Sequence, residues 1–120
     1  MKYMLLIYGN EELWGSFPPE VFEEVVRDTN ALQAELRKTG EFVGAWGVGD
    51  QAMAKCVTLE NGVPAVTDGP YIEAKEYLGS FDIIDVESEE RALEIAARIP
   101  FARVGKVEVR PLLHEAADEI

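Results

Sequence analysis

The sequence has few basic residues. Eleven Lys and Arg stand against 23 Asp and Glu, so the formal net charge is -12 at pH 7. Nucleic-acid-binding proteins use Lys and Arg to neutralise phosphates, and anionic membrane surfaces attract basic segments for the same reason. The charge balance therefore argues against a nucleic-acid partner and against a membrane partner.

Cysteine and histidine are each present once, as Cys56 and His114. A single cysteine excludes an internal disulfide and a CxxC site, and one Cys with one distant His is no metal-ligand set. We therefore expect no cofactor and no metal. The sequence also lacks an apolar run of roughly 18 residues, the length of a transmembrane helix, and its apolar start lacks the cleavage site of a signal peptide. These absences predict a cytoplasmic protein.

The length and composition are those of one ordinary globular domain. The 120 residues are 48% hydrophobic and 28% charged, and domains of this size bury enough surface to fold without metals or disulfides. We assign residues 1–113 to a single domain and residues 114–120 to an acidic C-terminal tail.

Hydrophobic periodicity predicts six strands and two helices. The first helix is marked by Pro19 at its start and by Gly40 just after its end, which are the preferred positions of these residues. The pair Asn61-Gly62 predicts a tight hairpin because both residues tolerate positive φ. The predicted strands are 2–8, 41–46, 51–59, 63–67, 78–86 and 105–113, the predicted helices are 19–39 and 89–99, and residues 9–17 form a loop.

This order of elements predicts an α+β fold with a ferredoxin-like (split βαβ) antiparallel sheet, two helices on one face and an inserted hairpin. Two helices cover one face of such a sheet only. The first strand, however, is apolar on both faces, with Tyr3, Leu5 and Ile7 on one face and Met4 and Leu6 on the other. A second copy of the chain is the simplest cover, so we predict a homodimer packed through its sheet faces.

The segment 67–81, TDGPYIEAKEYLGSF, is the most distinctive in the chain. It resembles the signature of DGPF-domain proteins, a branch of the YCII-related family, whose form is roughly TDGPF-x-E-x-KE-x-LGG-F. Tyr71 replaces the Phe of that pattern and Ser80 its second Gly, and the likeness extends over about the whole chain. The resemblance implies a ferredoxin-like fold of the dimeric α/β-barrel type. It also implies regulation linked to an extracytoplasmic-function sigma factor, since genes of this branch often lie beside such factors.

The charged residues of this segment have two readings. Asp68 before Gly69 is typical of a turn whose carboxylate accepts backbone N–H bonds, and Lys75 beside Glu76 is compatible with surface ion pairs. Alternatively, these side chains form one wall of a pocket, with Trp46 as an apolar wall. On that reading the catalytic candidates are Asp68 and Lys75, and the ligand-binding candidates are Asp68, Gly69, Pro70, Tyr71, Glu73, Lys75, Glu76 and Trp46.

Some YCII relatives are thought to use a His-Asp pair, and this chain carries only half of one. Thr29 or Asn30 occupies the helical position of the His, while Asp50 stands near the position of the Asp. We therefore predict a homodimeric small-ligand-binding or regulatory protein. The alternative is an enzyme that transfers a proton on a small organic acid or aromatic substrate, with Asp68 as the proton acceptor and Lys75 as its electrostatic partner.

Overall fold

A computed structural model describes residues 1–116 of the chain. Its main sheet has four antiparallel strands in the order β2-β5-β1-β6, and β3 pairs with β4 in a separate two-stranded hairpin. The strands are β1 (Lys2–Gly9), β2 (Phe42–Gly47), β3 (Lys55–Glu60), β4 (Val63–Asp68), β5 (Tyr77–Asp85) and β6 (Lys106–Pro111). The helices are α1 (Glu11–Trp14), α2 (Pro19–Thr39) and α3 (Glu89–Ala97), with 3₁₀ turns at Gln51–Met53 and Pro100–Arg103.

The predicted α+β ferredoxin-like fold is confirmed. Strand β5 lies between β1 and β2 and runs antiparallel to both, which is the split βαβ arrangement. The first predicted helix has the predicted bounds, and Gly40 ends it with a φ of 81°. The predicted hairpin turn is also present, with positive φ at Asn61 and Gly62. The predicted acidic tail, 114–120, lies partly outside the described residues.

Two local predictions were wrong, and a side-chain cap explains each. The loop predicted over 9–17 contains α1, because the side chain of Asn10 accepts a hydrogen bond from the Leu13 N–H at 2.8 Å and so starts a helical turn. The strand predicted from Gln51 begins only at Lys55, because Asp50 caps a 3₁₀ turn in the same way. Both caps lie beside the cavity described below.

The core lies between one face of the sheet and the two longer helices. Tyr3, Leu5 and Ile7 of β1 belong to a cluster of buried apolar residues that includes Leu32 of α2 and Ile95 of α3. Leu5 has no exposed surface, and Ile95 is 1% exposed. The helices are therefore held to this face by the hydrophobic effect, which stabilises by about 25 cal/mol per Å² of buried apolar surface.

The other face of the sheet carries large apolar side chains. Leu6 is paired with Phe81, and Phe81 is paired with Trp46, so the three side chains share this face. The rings of Trp46 and Phe81 stack at 5.4 Å between centroids, yet Trp46 remains 48% exposed. The chain thus presents an aromatic surface to solvent on the face opposite the helices.

The hairpin arm, β3 with β4, has one apolar face. The register places Val57 opposite Val66 and Leu59 opposite Pro64, so these four side chains point the same way. Val57, Leu59 and Val66 are 65%, 71% and 60% exposed. The radius of gyration is 16.8 Å, against about 14 Å for a compact domain of this length. The chain is therefore flatter and more extended than a self-contained domain.

Candidate functional site

A cavity of about 450 Å³ opens between the helices and the end of the central strands. We call it the helix-side cavity. Its floor is formed where β1 pairs with β5 and the register shifts between Ile7 and Tyr8. Its lining residues are Ile7, Glu11, Trp14, Phe22, Val48, Gly49, Asp50, Tyr77, Leu78, Gly79, Ser80 and Phe101. They come from β1, α1, α2, β5, the loop after β2 and the 3₁₀ turn after α3, so the fold brings together distant parts of the chain.

Trp14 forms one wall of this cavity, and two glycines make room for its ring. A Cβ atom on Gly9 would lie 2.6 Å from Trp14 Nε1, and one on Gly79 would lie 2.6 Å from Trp14 Cη2. Real side chains do not approach so closely, so both positions require glycine for this ring placement. The ring also meets Tyr77 edge to face at 5.7 Å, a favourable aromatic geometry.

Tyr77 and Asp50 form the polar contact of the cavity. The Tyr77 hydroxyl donates to Asp50 Oδ1 at 2.9 Å, and the Ala52 N–H donates to Asp50 Oδ2 at 3.0 Å. The Ala52 N–H and then the Tyr77 hydroxyl lower the pKa of Asp50. Burial, followed by the hydrogen bond to Asp50, raises the pKa of Tyr77. Asp50 is therefore ionised and Tyr77 protonated throughout the neutral range.

The backbone before Tyr77 is anchored from two sides. Asn10 Nδ2 donates to the Lys75 carbonyl at 3.0 Å, and Gln51 Nε2 donates to the Ala74 carbonyl at 3.3 Å. Asn10 and Gln51 belong to the two capped turns next to the cavity. These two hydrogen bonds fix the backbone in the second half of segment 67–81, and the Tyr77 hydroxyl can therefore reach Asp50.

The structure places Asp68 away from this cavity, at the base of the hairpin arm. Its carboxylate accepts from Lys55 Nζ at 2.6 Å, and the two side chains are 87% and 65% exposed. Gly69 has the positive φ of 92° expected for the turn. The turn does not use an Asp68 side-chain bond to a backbone N–H of residues 1–116, because the Gly69 N–H donates to the Ala54 carbonyl instead.

The remaining predicted site residues are spread over the surface. Lys75 and Glu76 line a smaller groove of about 290 Å³ with residues around α1. Glu76 also lies 3.7 Å from Lys106 Nζ. Tyr71 is 84% exposed, Glu73 is exposed and Pro70 is half-buried. Trp46 lies on the opposite face of the sheet. The geometry does not bring Asp68 and Lys75 together, and their catalytic and ligand-binding roles stay predictions.

Sequence reasoning did not assign the residues that line the cavity. Asp50 enters the sequence analysis only as half of a His-Asp pair, and the sequence pattern does not single out Trp14 or Tyr77. One signal was available: Tyr77 and Gly79 lie within the distinctive segment 67–81. The charged residues earlier in that segment directed the site hypothesis to Asp68 and Lys75, which do not line this cavity.

A larger groove of about 690 Å³ lies between α2 and α3, but its charges are already paired. Arg98 bonds to Glu35, and Arg103 Nη2 lies 3.2 Å from Asp28 Oδ2. Every charged side chain that lines this groove is thus engaged by a neighbour. The helix-side cavity, in contrast, contains carboxylates without a basic partner among residues 1–116.

Two further features bear on the class of site. Within residues 1–116, no group of three or more His, Cys, Asp or Glu side chains is placed to hold a metal ion. Over the same range, the helices are too short or too polar for any of them to cross a membrane.

Comparison with known proteins places the chain in a family. A family model described as the YCII-related domain matches residues 1–115. An uncharacterized protein of Rhizobium meliloti (strain 1021) is 32% identical over 114 residues, which is 93% of this chain and 92% of that relative. The match to the family model covers nearly the whole ferredoxin-like domain, and the chain therefore belongs to the YCII-related family.

Proposed function

We propose that this protein is a cytoplasmic homodimer of the DGPF branch, with a single domain over residues 1–113, that binds a small organic ligand in the helix-side cavity. The observation that carries the proposal is the cavity itself. Its volume of about 450 Å³ lies within the range of roughly 300–1,000 Å³ typical of ligand sites. Aromatic walls beside one oriented polar pair are the usual composition of such sites.

Binding, rather than proton transfer, is the role that suits the Asp50–Tyr77 pair. A general acid or base works best when its pKa lies near the working pH. Here the hydrogen bonds lower the pKa of Asp50, and burial raises that of Tyr77, so both move away from neutrality. The pair is thus suited to orienting a ligand and weak as a proton relay.

The homodimer is supported by two exposed apolar surfaces. One is the Trp46–Phe81 face of the sheet, and the other is the hairpin face of Val57, Leu59, Pro64 and Val66. An isolated two-stranded hairpin is only marginally stable, and large exposed apolar patches mark interaction sites. A second copy carries the same two surfaces, so one twofold interface covers both. This would give the dimeric α/β-barrel arrangement.

The dimer is tested by the mass in solution of Val57→Glu and Thr58→Glu. The two positions are neighbours in β3, but Thr58 pairs with Ala65 on the other side of the arm. We expect wild type and Thr58→Glu to have twice the chain mass of 13.3 kDa. Val57→Glu should shift to the monomer because an unpaired charge in an apolar interface is costly. A monomeric wild type at micromolar concentration would contradict the proposal.

Ligand binding is tested by tryptophan fluorescence in a Trp46→Phe background, in which Trp14 is the sole indole. Small one-ring aromatic compounds of positive, neutral and negative charge serve as the panel. We expect at least one to change Trp14 emission saturably and to raise the melting temperature. Tyr77→Phe should weaken it about fivefold or more, since it removes the hydroxyl bonded to Asp50. Tyr71→Phe, at an exposed position, is the control. A panel without any saturable binder would contradict the binding function.

The sigma-factor link implied by the resemblance is a separate prediction of the regulatory alternative. It requires a protein partner, and it is tested by pull-down with a purified extracytoplasmic-function sigma factor of the same organism. Retention of that factor by wild type would support it. Proton transfer at Asp68 and Lys75 has less support, because Asp68 is exposed and paired with Lys55.

A further inference from the structure

The charge inside the helix-side cavity has one sign. Among the residues of the described range 1–116 that line it, only Glu11 and Asp50 are charged, and both are acidic. Neither takes part in an ion pair with a basic group of residues 1–116. Two carboxylates that share a cavity without a counter-ion repel each other and attract a cation. Residues 1–116 therefore supply hydrogen bonds to Asp50 but no basic partner to either carboxylate.

The walls of the cavity are rich in aromatic rings. Trp14, Phe22, Tyr77 and Phe101 all line it. The ring centroids of Trp14 and Tyr77 are 5.7 Å apart in an edge-to-face arrangement, and those of Phe101 and Phe17 are 6.2 Å apart. The face of an aromatic ring carries negative charge density, which attracts ammonium groups. Rings and carboxylates in one cavity favour the same kind of ligand.

Asp50 contacts the phenol of Tyr77 directly. It accepts the Tyr77 hydroxyl at 2.9 Å, and the pKa of Tyr77 is raised by burial first, then by this hydrogen bond, and further by the negative charges of Asp50 and Glu11. Asp50 accepts hydrogen bonds from the Tyr77 hydroxyl, the Ala52 N–H and the Gln51 N–H, and an ionised carboxylate has about four acceptor sites. An ammonium group beside Tyr77 would use the remaining acceptor capacity of Asp50.

We propose that the helix-side cavity binds a small organic cation, with an ammonium group near Glu11 and Asp50 and an apolar body among the four aromatic rings. This inference rests on the proposed ligand-binding function and narrows it. It disfavours a small organic acid, because an added carboxylate would face Glu11 and Asp50, and no basic side chain of residues 1–116 lines the cavity. The volume of about 450 Å³ suits a one-ring amine.

The test compares phenethylamine, phenethyl alcohol and phenylacetate, which share one skeleton and differ in charge. Affinities are measured by Trp14 fluorescence in the Trp46→Phe background. We expect the amine to bind about tenfold more tightly than the alcohol, and phenylacetate to bind most weakly. The preference for the amine should fall as sodium chloride is added, because salt screens exposed charges.

Glu11→Gln and Glu12→Gln form the matched pair of variants. Both residues lie in α1 and both changes remove one negative charge, but Glu12 lines the smaller groove and not this cavity. We expect Glu11→Gln to reduce the amine preference over the alcohol about threefold or more, and Glu12→Gln to leave it unchanged. Asp50→Asn should reduce it further. Because the Glu11 side chain is exposed, the Glu11 variant keeps the fold even if Asp50→Asn does not.

The outcomes separate this inference from the proposed function. Equal binding of all three compounds, or tightest binding of phenylacetate, would overturn the cation proposal while leaving ligand binding intact. Equal effects of Glu11→Gln and Glu12→Gln would also overturn it, because long-range charge alone would then explain the preference. If no compound of the wider panel binds, the proposed function fails as well.

Discussion

Asp82 lies directly opposite Leu5 in the antiparallel pairing of β1 with β5, so its carboxyl group points to the helix-covered face of the sheet. Leu5 has no exposed surface, and Asp82 is half-buried. No hydrogen bond or ion pair reaches the Asp82 side chain from within residues 1–116. Burial raises the pKa of Asp82 from its ordinary 3.8 to about 6. The ionised form is thus disfavoured by its surroundings.

We expect Asp82→Asn to stabilise the protein above pH 6 and to have little effect near pH 4. Below its ordinary pKa of 3.8, Asp82 is protonated both in the folded and in the unfolded chain. As the pH rises to about 6, the unfolded chain loses this proton first, so the free energy of unfolding falls. The amide resembles the protonated acid and avoids this loss, with an expected gain of about 2 kcal/mol near neutral pH.

Urea unfolding at several pH values measures this difference. Asp85→Asn is the matched control because Asp85 is exposed and contacts the N-terminal ammonium at 3.1 Å. Its change should be at most about 1 kcal/mol. A gain for Asp82→Asn that is as large at pH 4 as at pH 8 would show that packing, and not charge, is responsible.

The ion pair of Glu41 with Arg91 makes stability depend on pH in the direction opposite to that of Asp82. Arg91 Nε and Nη2 each donate to a different Glu41 oxygen at 2.9 Å, which joins α3 to the segment after α2. Arg91 and then Thr39 lower the pKa of Glu41 from 4.5 to about 2. The stability from this pair is present above pH 4.5 and is lost as the pH falls toward 2.

Arg91→Lys should therefore reduce the free energy of unfolding by about 1–2 kcal/mol near neutral pH, since lysine does not form the bidentate contact. The reduction should vanish toward pH 2. Arg98→Lys makes the same change in a more exposed pair with Glu35, and we expect a loss below about 0.5 kcal/mol. An equal loss in both variants would rule out a special role of the bidentate geometry. Thermal or urea unfolding measures both.

The fold was predictable where the signals are local. The 21 residues of α2 have proline at one end, glycine at the other and an apolar stripe between, so both bounds follow from the sequence. Helix α1 has four residues, too few for a periodic pattern, and depends on one Asn10 hydrogen bond. Sheet order followed from the order of the elements, because each connection has few allowed topologies.

The cavity was less predictable because its residues are distant in the sequence. Trp14, Asp50 and Tyr77 meet only after β1, β5 and the loop after β2 have been placed.

The burial of Asp82 was not predicted, for another reason. Asp82 lies between Phe81 and Ile83, in a strand that is predicted from its apolar residues. An acidic residue within such a strand, on the face that the helices cover, is the sequence signal for a buried carboxyl group.

The exposure of Asp68 predicts a small effect of Asp68→Asn. The Lys55–Asp68 pair is 2.6 Å long, but both side chains are mostly exposed, and such pairs contribute about 0–1 kcal/mol. We therefore expect Asp68→Asn to change the free energy of urea unfolding by less than about 1 kcal/mol. A loss of about 1–3 kcal/mol would indicate that the carboxylate holds the turn through charge-assisted hydrogen bonds. Lys55→Met is the companion variant. If both residues contribute to stability only through their ion pair, Lys55→Met and Asp68→Asn should change the free energy of unfolding by the same amount.

The last prediction concerns the fit of Trp14 against the sheet. Gly79→Ala would place a methyl group 2.6 Å from Trp14 Cζ2 and Cη2, so the ring must move into the helix-side cavity. We expect a loss of about 1–3 kcal/mol in the free energy of unfolding, together with a red shift of Trp14 emission. Affinity for any ligand of the cavity should fall as well, because the displaced ring occupies part of its volume.

Gly47→Ala is the control for this substitution. Gly47 also lies in the main sheet, and a Cβ there has no atom within 4 Å. Alanine is at least as favourable as glycine in an extended strand. The free energy of unfolding should therefore stay within about 0.5 kcal/mol of wild type, and the emission maximum of Trp14 should stay within a few nanometres of it. If Gly79→Ala behaves like Gly47→Ala, Trp14 does not lie against β5 in solution. The helix-side cavity would then lack its main aromatic wall, and the cation-binding geometry would have to be abandoned.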